Sequence, residues 1–238
     1  MSRSQSSGQA RDLWTFVGVG RNVCASMYMP KHFEESRTGV LHGLIHAHPL
    51  ATFIVAQGND IVVNHFPLMV AKVGSELGVL RGHVPRANSV WESFNGDTKA
   101  VAVFQGPSAY ITPTWYPSKH QHGKVVPTWN YAVVHAHGQP MAVQDASWLL
   151  DHLNALTDKQ ESAQRRPWKV SDAPTEYVDD MLGHIVGVEM PIAALHGKWK
   201  VSQNRSRADR LGVAAGLRDQ GDAAAMAMEA LVRQRLEG

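Results

Sequence analysis

The sequence has little cysteine, little charge and no long apolar run. Cys24 is the only cysteine among 238 residues, so neither an intramolecular disulfide nor a thiolate metal cluster can form. Charged residues make up 18% of the chain and the formal net charge is +2. Such a balance permits nucleic-acid binding without arguing for it, because a nucleic-acid footprint needs clustered basic residues. No apolar run approaches the ~20 residues that span a bilayer, and we expect a globular, cytoplasmic protein.

The first 26 residues differ from the rest of the chain. Their apolar patch at 13–20 is too brief and too rich in glycine for the core of a signal peptide. No strand–turn–helix pattern surrounds these glycines, so they do not predict a dinucleotide-binding loop. We expect residues 1–26 to be a flexible extension and residues 27–238 to form a single domain.

Short strands come first in this domain, and helices cluster after them. Strand patterns lie at 50–56, 61–71, 78–84, 100–105, 109–115, 128–143 and 185–192. The first three are joined by short turns and are expected to form an antiparallel meander, and 109–115 is expected to be the hairpin partner of 100–105. Helical spacing predicts a helix over 37–47, a helical insertion over 145–183 and C-terminal helices over 206–236. No regular crossover helices separate the strands, so the pattern favours a mainly β barrel with helices, of class α+β, over a parallel sheet.

The segment 80–91, LRGHVPRANSVW, carries the groups that a phosphate needs. Arg81, His83 and Arg86 lie within six residues, and Asn88 stands at the predicted start of a short helix. Guanidinium groups and the free N–H groups of a helix start donate charge-assisted hydrogen bonds to phosphate. The alternative is a charged strand end whose arginines face solvent.

The segment 126–138, VPTWNYAVVHAHG, predicts a strand with two different faces. Because successive side chains alternate, Trp129, Tyr131, His135 and His137 share one face, and Asn130 lies on the other with small apolar residues. The small residues suit a barrel interior, whereas the aromatic face suits a flat ligand or a subunit interface. His135 and His137 have the spacing of two metal ligands, but no third ligand follows at a predictable spacing. Structural or interface histidines are the better interpretation, and no metal site is predicted.

Two more segments combine aromatic rings with polar donors. The segment 104–119, FQGPSAYITPTWYPSK, ends in an aromatic pair and Lys119, and the segment 197–205, GKWKVSQNR, contains Gln203 and Asn204. A lysine can bind a phosphate, and amide side chains match the alternating donors and acceptors of a flavin's pyrimidine edge. The alternatives are a packed loop corner and a helix cap. The sequence has no nucleophile elbow and no phosphate loop, so no catalytic residue is predicted.

Eight motifs, taken in order, resemble the PaiB family of FMN-binding negative transcriptional regulators. They are MYMPKHFEE, LIHAHPLATF, NHFPL, LRGHVPRAN, VFQGPSAYITPTWYPSK, GKVVPTWNYAVVHAHG, PWKVSDAP and GKWKVSQNR. They run from residue 27 almost to the C-terminus and leave residues 1–26 outside the resemblance.

The resemblance implies an FMN-binding split β-barrel related to pyridoxamine-phosphate oxidase-like proteins. In that superfamily a homodimer forms two flavin clefts, and each cleft is lined by both subunits. Basic residues of the central strands hold the phosphate there. By position, the resemblance assigns this role to Arg81, His83, Arg86 and Asn88, with Lys119 as a further candidate.

The resemblance also implies residues for the flavin ring. Trp129, Asn130 and Tyr131 are expected to line the ring, and Gln203 with Asn204 to close the cleft. These five residues follow from the matching motifs, and they lie in two segments that are far apart in the sequence.

The family's members repress transcription, but this sequence has no evident helix-turn-helix. Three glycines at 212, 216 and 221 weaken any recognition helix near the C-terminus. Three functions therefore remain open: a flavin-binding repressor, an FMN-dependent oxidoreductase acting on a small molecule, and a haem- or metal-handling protein that uses the histidine-rich strand.

Overall fold

A computed structural model describes residues 27–74 and 76–237; the predicted extension, residues 1–26, lies outside them. The strands in this part of the chain are β1 (Glu34–Glu35), β2 (Leu50–Gln57), β3 (Asp60–Pro67), β4 (Met69–Ala71), β5 (Val79–Pro85), β6 (Ala100–Ile111), β7 (Thr128–Gly138), β8 (Met141–Val143) and β9 (Ile185–Lys200). The α-helices are α1 (Thr38–Ala47), α2 (Ser118–His122), α3 (Ala146–Glu161), α4 (Thr175–Gly183), α5 (Arg207–Gln220) and α6 (Ala223–Glu237).

The strands pair antiparallel in the order β3-β2-β6-β7-β9-β5-β4, with β1 and β8 also paired to β9. The 16-residue strand β9 connects the two parts of this curled sheet. Its first half pairs with β5 and β8, and its second half pairs with β7. The architecture is a mixed α+β fold in which β9 positions residues from both ends of the barrel.

The core lies on the inner face of the sheet and beneath α1. Phe53 of β2 and Phe104 of β6 are fully buried, and Leu41 and Ile45 of α1 pack into the same cluster. Strand β7 contributes Ala132, Val134 and Ala136 to the core. The prediction that these small residues face the interior is confirmed, as alternation along a strand requires.

One predicted strand pairing is wrong. Residues 109–111 continue β6 instead of forming its hairpin partner, because a bulge between Gln105 and Ser108 interrupts the ladder without ending the strand. The bulge contains a Gly-Pro pair, and proline has no N–H for the ladder. The predicted meander is present, but its second strand, 61–71, is divided: β3 pairs with β2, and β4 pairs with β5. The sequence did not show that β5 also pairs with β9. Strands β5 and β9 are about a hundred residues apart in the sequence, and a pairing between such distant segments leaves no local sequence pattern.

The helices follow the predicted regions closely. Asp145 caps α3 by accepting a hydrogen bond from Trp148 N at 2.8 Å, as expected of an N-cap aspartate. Helices α3 and α4 form the insertion, and α5 and α6 form the C-terminal pair, separated at Gly221 with φ 72°. Within 27–74 and 76–237, no helix is long and apolar enough to cross a membrane.

Candidate functional site

Arg81 lies on the outer face of the β5–β9 pair, where Glu189 is its cross-strand neighbour. Its Nε donates to Glu189 Oε2 at 2.8 Å, and the same carboxylate oxygen accepts from Trp148 Nε1 at 3.2 Å. The guanidinium carbon lies 5.5 Å from the centre of the Trp148 ring. The Arg81 side chain is 33% exposed, and its two Nη nitrogens make no hydrogen bond to any residue that the structure describes. Glu189 therefore orients the Arg81 guanidinium through Nε, and the two Nη nitrogens are available to bind an anion.

His83 lies two residues along the same face and contacts helix α3. Its Nδ1 is 3.2 Å from His152 Nε2, and the His152 ring stacks on Trp148 at 5.4 Å. The Trp148 ring packs directly on the backbone of β9, where a Cβ on Gly187 would approach the ring to 2.4 Å. We call Arg81, His83, Trp148, His152 and Glu189 the Arg81 cluster.

Both histidines of the Arg81 cluster are held neutral by their surroundings. Burial lowers the pKa of His83. Burial, followed by the nearby charges of His83 and Arg81, lowers the pKa of His152 from 6.5 to about 4. At neutral pH the pair therefore shares one N–H···N hydrogen bond, with one ring donating and the other accepting.

Arg86 and Asn88 lie beyond the end of β5, and both are tied to the protein. The Arg86 guanidinium donates to the carbonyl oxygens of Gly183 and Ile185 and to Gln144 Oε1, at 2.7 to 3.1 Å. Asn88 caps the short 3₁₀ helix that follows it, as its predicted position requires. Arg86 thus holds the insertion against β5, and fewer of its donors are free than those of Arg81.

An aromatic surface lies at the other end of β9, on the outer face of the sheet. Trp129 and Tyr110 are about half exposed, and their rings meet edge to face at 6.1 Å. Lys198 is 8% exposed, and its ammonium donates to Tyr28 O at 2.8 Å and lies 5.6 Å from the centre of the Tyr131 ring. Lys200 Nζ donates to Trp129 O at 2.6 Å. We call Tyr110, Trp129, Tyr131, Lys198 and Lys200 the aromatic–lysine surface. It combines flat rings with positive charge, which suits a planar anionic ligand.

The other predicted ring residues lie near this surface but differ in orientation. Asn130 faces the interior, is 1% exposed and donates to Ser202 Oγ at 2.9 Å. Gln203 hydrogen-bonds the backbone at the end of β9, whereas Asn204 is exposed. Lys119 is a predicted phosphate candidate and not a ring residue, and it is exposed in the short helix α2. Asn130 and Gln203 therefore stabilise the C-terminal end of β9 and the turn after it through these hydrogen bonds.

Apart from Lys119, the predicted site residues fall into two groups along β9. Arg81 pairs in register with Glu189, and Tyr131 pairs with Lys200; the length of a fully extended strand limits the separation of these positions to at most roughly 35 Å. Among the described residues, no hydrogen bond, ion pair or ring contact joins one group to the other. Within one copy, the phosphate candidates and the ring candidates do not form one connected cluster.

Three histidines occupy the outer face between the two groups. His135 and His196 are cross-strand neighbours, and the His137 and His196 rings lie 5.3 Å apart. His137 Nε2 is buried and has no partner within the described residues. Burial, followed by the neighbouring histidines, lowers the pKa of both His135 and His137. In the part of the chain that the structure describes, no three histidine, cysteine or acidic side chains are arranged to hold a metal ion.

Sequence reasoning missed three residues of the Arg81 cluster: Trp148, His152 and Glu189. A signal for two of them was present, because Trp148 and His152 are four residues apart and share one helix face. What the sequence did not show is that this face of α3 covers β5. That contact depends on the pairing of β5 with β9 and on the missing side chain of Gly187.

Residues 27–194 match the model of a protein family described as "Putative FMN-binding domain". The chain belongs to this family. The "Protease synthase and sporulation protein PAI 2" of Bacillus subtilis is 26% identical, over 89% of this chain and 99% of that protein. An uncharacterized protein of Emericella nidulans is 32% identical, over 89% of this chain and 98% of the relative. The resemblance to the PaiB family is thereby confirmed.

Solved structures with low sequence identity share the fold. The FAD and haem binding protein of Mycobacterium smegmatis has a TM-score of 0.50 at 14% identity, covering 70% of this chain and 73% of that one. A conserved hypothetical protein of Mycobacterium tuberculosis has a TM-score of 0.51 at 10% identity, covering 73% and 91%. At such identities the likeness concerns the fold alone, and the predicted α+β split barrel is confirmed.

Proposed function

We propose that this protein binds FMN as a homodimer, with each flavin held between two copies of the chain. The family match supports a flavin ligand. The observation that carries the rest is the separation of the Arg81 cluster from the aromatic–lysine surface along β9. One group offers guanidinium donors for a phosphate and the other offers rings and ammonium groups for the isoalloxazine. A second copy that brings its own aromatic–lysine surface to the Arg81 cluster would complete the site.

The outer face of the sheet offers the surface for the second copy. Ile61 and Val63 of strand β3 are 73% and 51% exposed. A row of cross-strand neighbours runs from Val63 through Ile54 and Val101 to His137, and cross-strand neighbours share one face of a sheet. Exposed apolar stripes of this kind mark interaction surfaces. This stripe leads directly into the histidine face between the two groups.

The residues present fit FMN chemically. Arg81 has free Nη donors for the phosphate, while Trp129 and Tyr110 have exposed ring surface. The half-buried Lys200 adds positive charge beside the rings, and the buried Lys198 adds a second charge beneath them. Bound FMN supplies one- and two-electron redox chemistry; the chain's own residues bind the cofactor, orient it and exclude water around it.

The phosphate assignment is tested by Arg81→Ala, with Arg165→Ala as the control because Arg165 is exposed. Loss of a charge-assisted hydrogen bond costs about 1.5–3 kcal/mol, so Arg81→Ala should weaken FMN binding at least about tenfold. Flavin fluorescence titration measures the affinity of both variants. Equal FMN affinity in the two variants would remove Arg81 from the site.

We propose that the role of this protein in the cell is to repress transcription. Its support is the PaiB resemblance together with the name of the Bacillus subtilis relative, which concerns protease synthesis and sporulation. An electrophoretic mobility shift at low salt with promoter DNA tests direct repression, because non-specific binding is strongest there. Absence of any shift at low salt would count against direct binding.

An FMN-dependent oxidoreductase is the second candidate. The packing of α5 favours it over direct DNA binding. Gly212 and Gly216 of α5 lie against Trp115, so this helix face is not free to enter DNA, whereas an enzyme does not need that face. Reduction of the bound flavin by NADH or NADPH, followed by turnover with a small acceptor, would support it. The unpartnered His137 Nε2 favours a haem- or metal-handling role, and a Soret band in the visible spectrum of the purified protein would identify haem.

A further inference from the structure

Helix α3 packs against β5 and β9 through an unusually polar contact. Trp148 and His152 face the sheet together with the buried Leu149, and His152 is 5% exposed. Burying a pair of imidazoles costs solvation that an apolar pair would not lose. The contact also engages two side chains, Arg81 and His83, that offer donors to an anion. Packing alone does not explain why polar groups are concentrated there.

The geometry of the histidine pair controls which nitrogen of His83 carries a proton. His83 Nδ1 faces His152 Nε2 at 3.2 Å. If His152 Nε2 donates, His83 Nδ1 accepts, and the proton of neutral His83 then resides on Nε2. In that tautomer His83 can donate a hydrogen bond to an anion. In the opposite arrangement His83 Nε2 is an acceptor and repels one.

The charged groups around the pair favour the donating arrangement once an anion is present. Arg81 and Glu189 form an ion pair beside it, and Trp148 lies between Arg81 and His152. Glu189 engages Nε of Arg81 and leaves both Nη groups without a partner among the described residues. A phosphate ester bound to these Nη groups would stabilise a donor on the neighbouring His83.

We infer that helix α3 completes the phosphate-binding site: Trp148 orients the Arg81 guanidinium, and His152 fixes His83 as a hydrogen-bond donor to a phosphate ester. The inference rests on the proposed FMN binding and extends it to two positioning residues of the insertion. It assigns to α3 a role beyond packing against the barrel strands.

The test compares FMN with riboflavin, which lacks the phosphate. The ratio of the riboflavin Kd to the FMN Kd isolates the phosphate contribution from any general effect on the flavin site. His152→Leu removes the donor, and this ratio should fall about tenfold. His152→Gln keeps an amide donor near the position of Nε2, and the ratio should stay within about threefold of the original protein.

Two further variants control for misfolding and for histidine loss. His152→Asn is polar but too short to reach His83, so its ratio should fall as in His152→Leu even if the leucine variant does not fold. His32→Leu replaces an exposed histidine far along the chain and should leave the ratio unchanged. Equal losses of riboflavin and FMN affinity in both the leucine and the asparagine variants would overturn the inference. Failure of the unsubstituted protein to bind either flavin would instead overturn the proposed function.

Discussion

Single polar side chains, the half-buried Glu189 and the buried Asn130, orient their neighbours at the two ends of β9. Glu189 holds Arg81 by its Nε, and Asn130 holds the turn after β9 through Ser202, whose φ of 66° is unusual for a residue other than glycine. The sequence predicted the chemistry of Arg81 and the inward face of Asn130. It did not predict their partners, because Glu189 and Ser202 are brought near by pairing between distant strands.

Acid should destabilise the protein through His152. Its pKa is about 4 in the folded state against 6.5 ordinarily, so the unfolded chain binds the proton more tightly. Stability is therefore full above about pH 6.5 and declines as the pH falls toward 4, by about 3 kcal/mol over the whole range. Urea denaturation at a series of pH values measures the free energy of unfolding. His152→Gln should show a visibly smaller decline, and an identical decline in both proteins would contradict this account.

Local patterns located most elements, but they did not determine strand pairing. The strand patterns at 50–56 and 78–84 correspond to β2 and β5, and helical spacing correctly gave α1 and α3. The continuity of β9 over 16 residues was missed. Its length matters more than any single motif, because β9 connects both groups of site residues. The alternation of apolar and polar residues along a strand indicates which face of the sheet each side chain occupies. The choice of the neighbouring strand depends on the whole sheet.

Glycines in the predicted helix α5 have a structural role that helix propensity does not indicate. They weaken a recognition helix by propensity, but their role in the fold is a close contact. A Cβ on Gly216 would lie 2.3 Å from the Trp115 ring, and one on Gly212 would lie 2.0 Å from Trp115 O. Helix α5 thus packs against the segment that precedes α2 at a distance that only glycine allows.

Gly216→Ala should therefore destabilise the protein, although alanine is the better helix former. The steric cost of overpacking, about 1–3 kcal/mol, exceeds or cancels the gain of about 1 kcal/mol in helix propensity. Gly43→Ala in α1 is the matched control, since a Cβ there meets nothing within 4 Å, and it should stabilise by about 1 kcal/mol. Thermal denaturation compares the two variants. A Gly216→Ala protein as stable as Gly43→Ala would show that the Trp115 contact is not tight.

At the scale of the whole molecule, the fold separates the residues proposed to bind the phosphate from those proposed to bind the flavin ring. The phosphate candidates gather where β9 begins and the ring candidates where it ends. An apolar stripe and a histidine face lie between them on the open side of the sheet. The resemblance predicts a cleft shared by two copies, and in the proposed dimer each copy would contribute two half-sites.

The most direct test of this arrangement is complementation in mixed dimers. Arg81→Ala disables one half-site and Trp129→Ala disables the other, so each variant alone should bind little FMN. Co-expressed with two different affinity tags and purified through both, the mixed dimer should have about twice the 26.1 kDa chain mass and regain one tight FMN site per dimer. Absorbance measures the number of FMN molecules bound per mixed dimer. The predicted result is one FMN per mixed dimer. A mixed dimer that binds no more FMN than the separate variants would contradict a site shared between two copies.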